Sequence, residues 1–315
     1  MRAVVALGLP VLAWCGVACA EEPQLLYRPQ ARVEADPPAW YSPALFTPMP
    51  KPQPGDWMAA HPEPAQSFEQ YVPSVRVRPR AGRHTLYLCP LGPMSAGERA
   101  RLAVLREFLE AYFVLPAGQA PPAGLDRVTT RERSMFGRQV RQYLTSDILD
   151  SVLQPLLPKD GVCLLGVTMQ DLYPEPSWNY VFGQASLERR IGVYSLVRFY
   201  PAFWGERETP EALLKGLKRS LATLVHETGH LFGVWHCQKY ECVMNGSNSL
   251  GESDRRPIHL CPECLKKFRW NLGFKVVERY EGLRKFYAAH GMTAEADWVA
   301  KRLAECGPQP PAKGG

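Results

Sequence analysis

Two rhythms of apolar residues alternate through the middle of the chain. "HTLYLCPL", starting at His84, is a short apolar run rich in β-favouring residues and reads as a buried strand. Ser95 and Glu98 then form a capping-box pattern, and Leu102, Leu105, Leu109 and Tyr112 recur at helical spacing, which predicts a helix from about Ala96 to Ala111. A strand is expected from about Tyr112 to Leu115, and the Pro- and Gly-rich "PAGQAPPAG" after it reads as a loop. Thr145 or Ser146 is placed to cap a second helix through "DILDSVLQPLL", and "GVCLLGVTM" beyond it is a fully apolar run of strand length. "NYVFGQASLE" and "IGVYSLVRFY" add two more strands. Strands alternating with helices predict an α/β (α+β) domain built on a mixed, mostly parallel sheet.

The next helix carries unusual polar residues. Thr209-Pro210-Glu211 gives a cap followed by proline at the first helical position, and Leu213, Leu214, Leu217, Leu221, Leu224 and Val225 supply an apolar face. His226 and His230 are four residues apart, so their rings leave one face a turn apart and can reach a single ion. Glu227 stands beside them, placed for a water on that ion rather than for the ion itself. Gly233 is a natural helix stop, because glycine enters the left-handed conformation cheaply, and the turn it permits delivers His236. The spacing H-E-x-x-H-x-x-G-x-x-H thus places three imidazoles around a zinc with one position left for water. Glu227 is the candidate general base for that water. The bland alternative, histidines aligned by chance, does not account for the glycine and the third histidine as well.

The residues that follow narrow the reading. Cys237 comes directly after the third histidine, then Cys242, Met244, and the pair Cys261 and Cys264. This layout resembles the archaemetzincins, zinc metallopeptidases of the metzincin clan. The resemblance spans roughly His84 to Tyr280 and includes "LLGVTMQDLYPEPSWNYVFGQAS". It implies a metzincin-like zincin domain with a long active-site helix and a zinc-stapled C-terminal helical part. It also implies hydrolysis of peptide bonds, a second zinc bound by the cysteines, and Met244 as an apolar floor beneath the histidines. In thiolate chemistry, Cys237, Cys242, Cys261 and Cys264 suit a closed tetrahedral zinc site, two zincs per chain in all. In an oxidising compartment the same four could instead pair as two disulfides. A second functional reading is a non-catalytic zinc protein that binds peptides or a protein partner, against which Glu227 argues. In metzincins the strand bordering the cleft is an antiparallel edge strand, and "NYVFGQASLE" is the run that the resemblance puts there.

Outside this body the composition changes. The first twenty residues carry one Arg, an uncharged apolar run and Ala18-Cys19-Ala20, an A-x-A-like cleavage site, so 1–20 reads as a signal peptide of an exported, periplasmic or extracellular protein. The alternatives are an uncleaved apolar helix or lipid attachment at Cys19. The mature chain then has no membrane span. Residues 21–83 are Pro-rich and read as an irregular extension wrapped on the surface of the peptidase domain, 84–305, with 306–315 as a disordered tail. If the extension were an inhibitory prosegment, His61, Asp56 or a glutamate would have to occupy the open zinc position.

Of 315 residues 46% are hydrophobic, which suits a globular protein, and the net charge of +6 is spread without a Lys/Arg block. Nucleic-acid binding gains no support, leaving a peptide or protein substrate as the expected partner. Oligomeric state is not encoded legibly. Cys89 and Cys163 read as buried strand thiols that could bridge if their strands are neighbours, and Cys306 is unassigned. His61, His84, His259 and His290 lack partners at ligand spacing, and Asp171 reads as a solvated turn residue.

Overall fold

The computed structural model describes residues 36–306 of the chain. The expected signal peptide, Cys19 and the tail from 307 onward lie outside the described residues. Cys306, expected in the tail, ends the last helix, with its thiol on the carbonyl of Ala39.

The strands are β1 (Thr85–Leu91), β2 (Ala117–Gln119), β3 (Thr130–Met135), β4 (Arg138–Leu144), β5 (Gly161–Thr168), β6 (Asp171–Tyr173), β7 (Gly183–Ser186) and β8 (Ile191–Ser195). Five of them make the main sheet in the order β2-β1-β5-β8-β7. All neighbours are parallel except β7 and β8, which form a hairpin, so the sheet is mixed and mostly parallel as the pattern predicts. Every residue of β5 is buried, which is why its sequence is continuously apolar rather than alternating. A second sheet, β3-β4-β6, joins an antiparallel hairpin to a short parallel strand.

Helical segments pack on both faces of the main sheet, Ala96–Phe113 in one apolar cluster with Leu88 and Leu165 and the turns of Ile148–Leu153 in the other with Cys89 and Leu164. Ala96–Phe113 starts at the Ser95–Glu98 capping box and runs two residues past its expected end. Val114 then takes a left-handed conformation at φ 53°, where a strand was expected. The pairing strand begins instead at Ala117, inside the stretch read as loop. Helical turns run from Thr145 to Leu156, but Leu144 precedes them without a side-chain cap. The Thr145 hydroxyl goes to the Tyr173 carbonyl and the Gln184 side chain. Cys89 and Cys163 lie on neighbouring strands, yet each pairs with another residue (Cys89 with Gly166, Cys163 with Leu86), and both thiols are free.

The active-site helix, Pro210–Leu231, crosses behind β7 and β8. Thr209 accepts a hydrogen bond from Ala212 N, and Pro210 occupies the first helical position. A four-residue helix, Leu250–Ser253, and three longer ones follow among the described residues: Pro262–Leu272, Val276–Ala289 and Thr293–Cys306. Part of the Pro-rich extension packs into the same core. Trp40 is buried and stacks on Tyr280. Phe68–Ser74 is a true helix with a Ser67–Gln70 capping box, even though Pro73 lies inside it.

Candidate active site

The third histidine is delivered by the way the active-site helix ends. Val234 N donates to Gly229 O and Gly233 N to His230 O, the paired bonds of a Schellman ending, with Gly233 at φ 81°. The chain reverses there and returns His236 to face His226 and His230, so that ligand atoms of all three come within 4.8 Å of one another.

Each imidazole has one nitrogen committed elsewhere. Nδ1 of His226 is 2.8 Å from Val243 O, and Nδ1 of His230 is 2.8 Å from Val234 O. A carbonyl can only accept, so both nitrogens carry the proton and both Nε2 lone pairs point inward. Those Nε2 atoms stand 2.9 Å apart. Two lone pairs at that distance repel unless a cation lies against them, so the donor set fits zinc. Nδ1 of His236 is 2.9 Å from both carboxylate oxygens of Glu63.

Glu227 lies on the floor of a cleft of about 960 Å³, whose lining includes Trp57, His61, Tyr180, Gly183 and Asn245. Its surface reaches the cleft, but the atoms around it are protein, and loss of solvation pushes its carboxyl up to about 7. Burial likewise holds His230 down at about 4 and His226 well below the usual histidine range, which keeps both rings neutral and able to donate a lone pair. The edge strand β7 closes on Glu227: a Cβ added to Gly183 would lie 3.2 Å from the Glu227 carboxyl carbon.

Met244 is fully buried against the same helix, so close that a Cβ at Gly229 would sit 2.5 Å from its sulfur. Its carbonyl accepts from Cys237 N at 2.7 Å, which ties the segment below the histidines to the residue after His236.

Cys237, Cys242, Cys261 and Cys264 form a second cluster, all four buried, free and within 4.8 Å of one another. Cys237 and Cys261 sulfurs are 3.5 Å apart, close to the ~3.8 Å edge of a tetrahedron of thiolates about 2.3 Å from zinc. Without a cation the four cannot all ionise. Hydrogen bonds from Cys242, Cys261 and Cys264 pull the Cys237 thiol far down, while burial pushes Cys242 well up. Cys261 caps the helix Pro262–Leu272, where the N–H of Cys264 reaches its sulfur. Asn245 braces the turn, accepting from Cys242 N and donating to Cys237 O.

Asp171 corrects an expectation. It is 3% exposed, paired through both oxygens with Arg198 at 2.6 Å, and bonded to Gln142 Nε2. Arg198 in turn lies 3.7 Å under the ring of Tyr180, a wall of the cleft. His259 is packed flat on Trp298, with ring centroids 3.7 Å apart, and His290 contacts Glu107. Asp56, one of the groups considered for the open zinc position, pairs with Arg255 instead. Glu63 was not individually foreseen. Nothing local in "HPEPAQ" marks it, since its partner lies 173 residues away.

The profile described as peptidase family M54 matches residues 115–270. Over 269 residues the chain is 35% identical to archaemetzincin-2 of Rattus norvegicus, covering 77% of this chain and 75% of that protein. Archaemetzincin-1 of Homo sapiens is 31% identical over 256 residues, which cover 72% of this chain and 51% of that one. The crystal structure of archaemetzincin from Methanopyrus kandleri matches with a TM-score of 0.47 at 28% identity, covering 62% of this chain and 99% of that chain.

Proposed function

Since the chain belongs to the archaemetzincin family and is a zinc metallopeptidase, we propose that His226, His230 and His236 hold its catalytic zinc and that Glu227 is the general base. A zinc ion bound there supplies Lewis acidity, acidifying a water and polarising the scissile carbonyl. Glu227 takes the proton of the attacking water and hands it to the leaving amine. The observation that carries this reading is the convergence of ring nitrogens of three histidines beside a carboxylate that lines an open cleft.

The substrate is a peptide or protein segment in extended form. The free edge of β7 beside Glu227 favours its addition as one more strand. Such pairing would hold the scissile carbonyl in place rather than merely near the histidines. Cys237, Cys242, Cys261 and Cys264 would hold the second zinc, closed to water and therefore structural. Met244 serves as the apolar floor of the catalytic site. Export of the mature chain is supported by the apolar run ahead of Ala18-Cys19-Ala20. Among the described residues no helix is long and apolar enough to cross a membrane.

The test is Glu227→Gln, which keeps the shape of the side chain and removes its basicity. Peptide cleavage should fall by ~10²–10⁴-fold or more while both zincs and the melting temperature are retained. A variant that cleaves at the parent rate rules out Glu227 as the base.

A further inference from the structure

We infer that Glu63, from the Pro-rich extension, is a positioning residue for His236 and that the extension is thereby a permanent part of the active site. The inference rests on the reading of His236 as a zinc ligand and asks what holds that ligand. His226 and His230 are each oriented by a backbone carbonyl, whereas His236 is oriented by a carboxylate with both oxygens at 2.9 Å. A carboxylate behind a ligating imidazole fixes the ring and its tautomer and raises the basicity of the nitrogen facing the metal.

Glu63 is itself held. The indole N–H of Trp57 donates to its Oε1 at 2.5 Å, and Gln238 Nε2 donates to its backbone carbonyl at 2.7 Å. Trp57 meets the His236 ring edge to face, with centroids 5.3 Å apart. Its own N–H is 3.1 Å from both Glu252 oxygens, and its indole covers Gly246 so closely that a Cβ there would lie 2.4 Å away.

The residues after Glu63 grip the turn that carries His236. Gln66 donates to Gly233 O, accepts from Trp235 N and is bound in turn by the buried Lys267 ammonium. The Tyr71 hydroxyl donates to Phe232 O at 2.9 Å. The path from Phe232 to His236 is therefore hydrogen-bonded to the extension almost residue by residue. Because Glu63 engages Nδ1, on the far side of the ring from the inward Nε2 atoms, it supports the ligand rather than occupying the open position. That is the geometry of a retained support, opposite to what an inhibitory prosegment requires.

The test compares Glu63→Ala and Glu63→Gln in the full chain, reading the affinity of the histidine site for zinc by chelator competition. The absorption spectrum with cobalt in that site is recorded alongside. Glu63→Ala should weaken binding by about 10–100-fold. Glu63→Gln, which keeps an acceptor but loses the charge, should fall between it and the parent, and both should shift the cobalt bands. The cysteine-bound zinc and the melting temperature should stay at parent values. Unchanged affinity and spectrum in either folded variant would overturn the inference. So would loss of both metals together with a lowered melting temperature in Glu63→Gln, the signature of a general structural contact. The readout is metal affinity, so a failure of Glu227 as base would leave the inference standing.

Discussion

Arg198 sits beneath Tyr180, and both it and Asp171 are almost fully removed from water. Two charges in that position are tolerated only because they meet through two short bonds and because Gln142 takes up a further lone pair on Asp171. Breaking such a pair on one side leaves the other charge buried alone, which costs ~3–5 kcal/mol and outweighs any gain from apolar packing of the replacement. Arg198→Met should therefore lose stability of that order in chemical denaturation. The double variant Arg198→Met with Asp171→Leu should regain most of it. A single-variant loss below about 1 kcal/mol would mean that the pair is solvated and contributes as little as a surface bridge. Sequence alone does not reveal this pair, since an aspartate between short apolar runs has the same local signature whether it faces water or a guanidinium on another segment. The histidines are the opposite case. The spacing of His226 and His230 on one helix face fixes their neighbourhood before any long-range contact forms, and Gly233 marks the turn that returns His236 to them.

Among the elements, β7 borders the cleft beside Glu227, and the geometry of its hairpin settles which of its main-chain groups face outward. Ser195 N donates to Phe182 O, making that pair hydrogen-bonded. With the observed register the next such pair is Gln184 with Val193, so the N–H of Gln184 is spent on β8. The main-chain groups of Gly183 and Ala185 point to the open edge. Ala185→Pro removes one of those donors without touching the ladder. If a substrate strand adds there, KM should rise by up to about tenfold, the worth of one net hydrogen bond of roughly 0.5–1.5 kcal/mol. The turnover number, zinc content and melting temperature should not change. An unchanged KM would put the substrate elsewhere, and an unfolded variant would mean that the N–H belongs to the sheet. The elements that pattern reasoning missed share one cause. β3 and β4 have one fully buried residue between them, the polar Gln142, while Tyr143 and Leu144 are partly exposed, so no apolar alternation marks either strand. The run Tyr112–Leu115 is apolar on every side and fits a helix end or a strand equally well. Only the left-handed turn at Val114 decides between them.

At the scale of the whole molecule, the histidine and cysteine clusters are linked by one short stretch of chain. Cys237 follows His236, and Val243, between Cys242 and Met244, orients His226. The cysteine cluster therefore adjoins the histidine one; the sequence shows the adjacency, because these histidines and cysteines all lie between residues 226 and 264, but not the bond from Val243 to His226. The part played by the extension was not legible either, because proline-rich sequence carries no period and its contacts reach across more than 160 residues. The chemistry of the four thiols bears on the export proposed from the first twenty residues. In an oxidising compartment thiols normally pair, yet here four sulfurs share one buried volume at spacings that suit a common cation. Once zinc is bound, its binding energy is also folding energy, so oxidation would first have to open the cluster at that cost. Intact mass spectrometry of protein recovered from the exported fraction tests both ideas in one measurement. The expected species begins at Glu21, carries two zincs under native conditions and, once denatured, shows no loss of hydrogens from the four cysteines. A chain beginning at Met1 would refute cleavage, and a lipid mass on a chain beginning at Cys19 would replace release with anchoring. Four missing hydrogens with a single zinc would replace the structural metal with two disulfides.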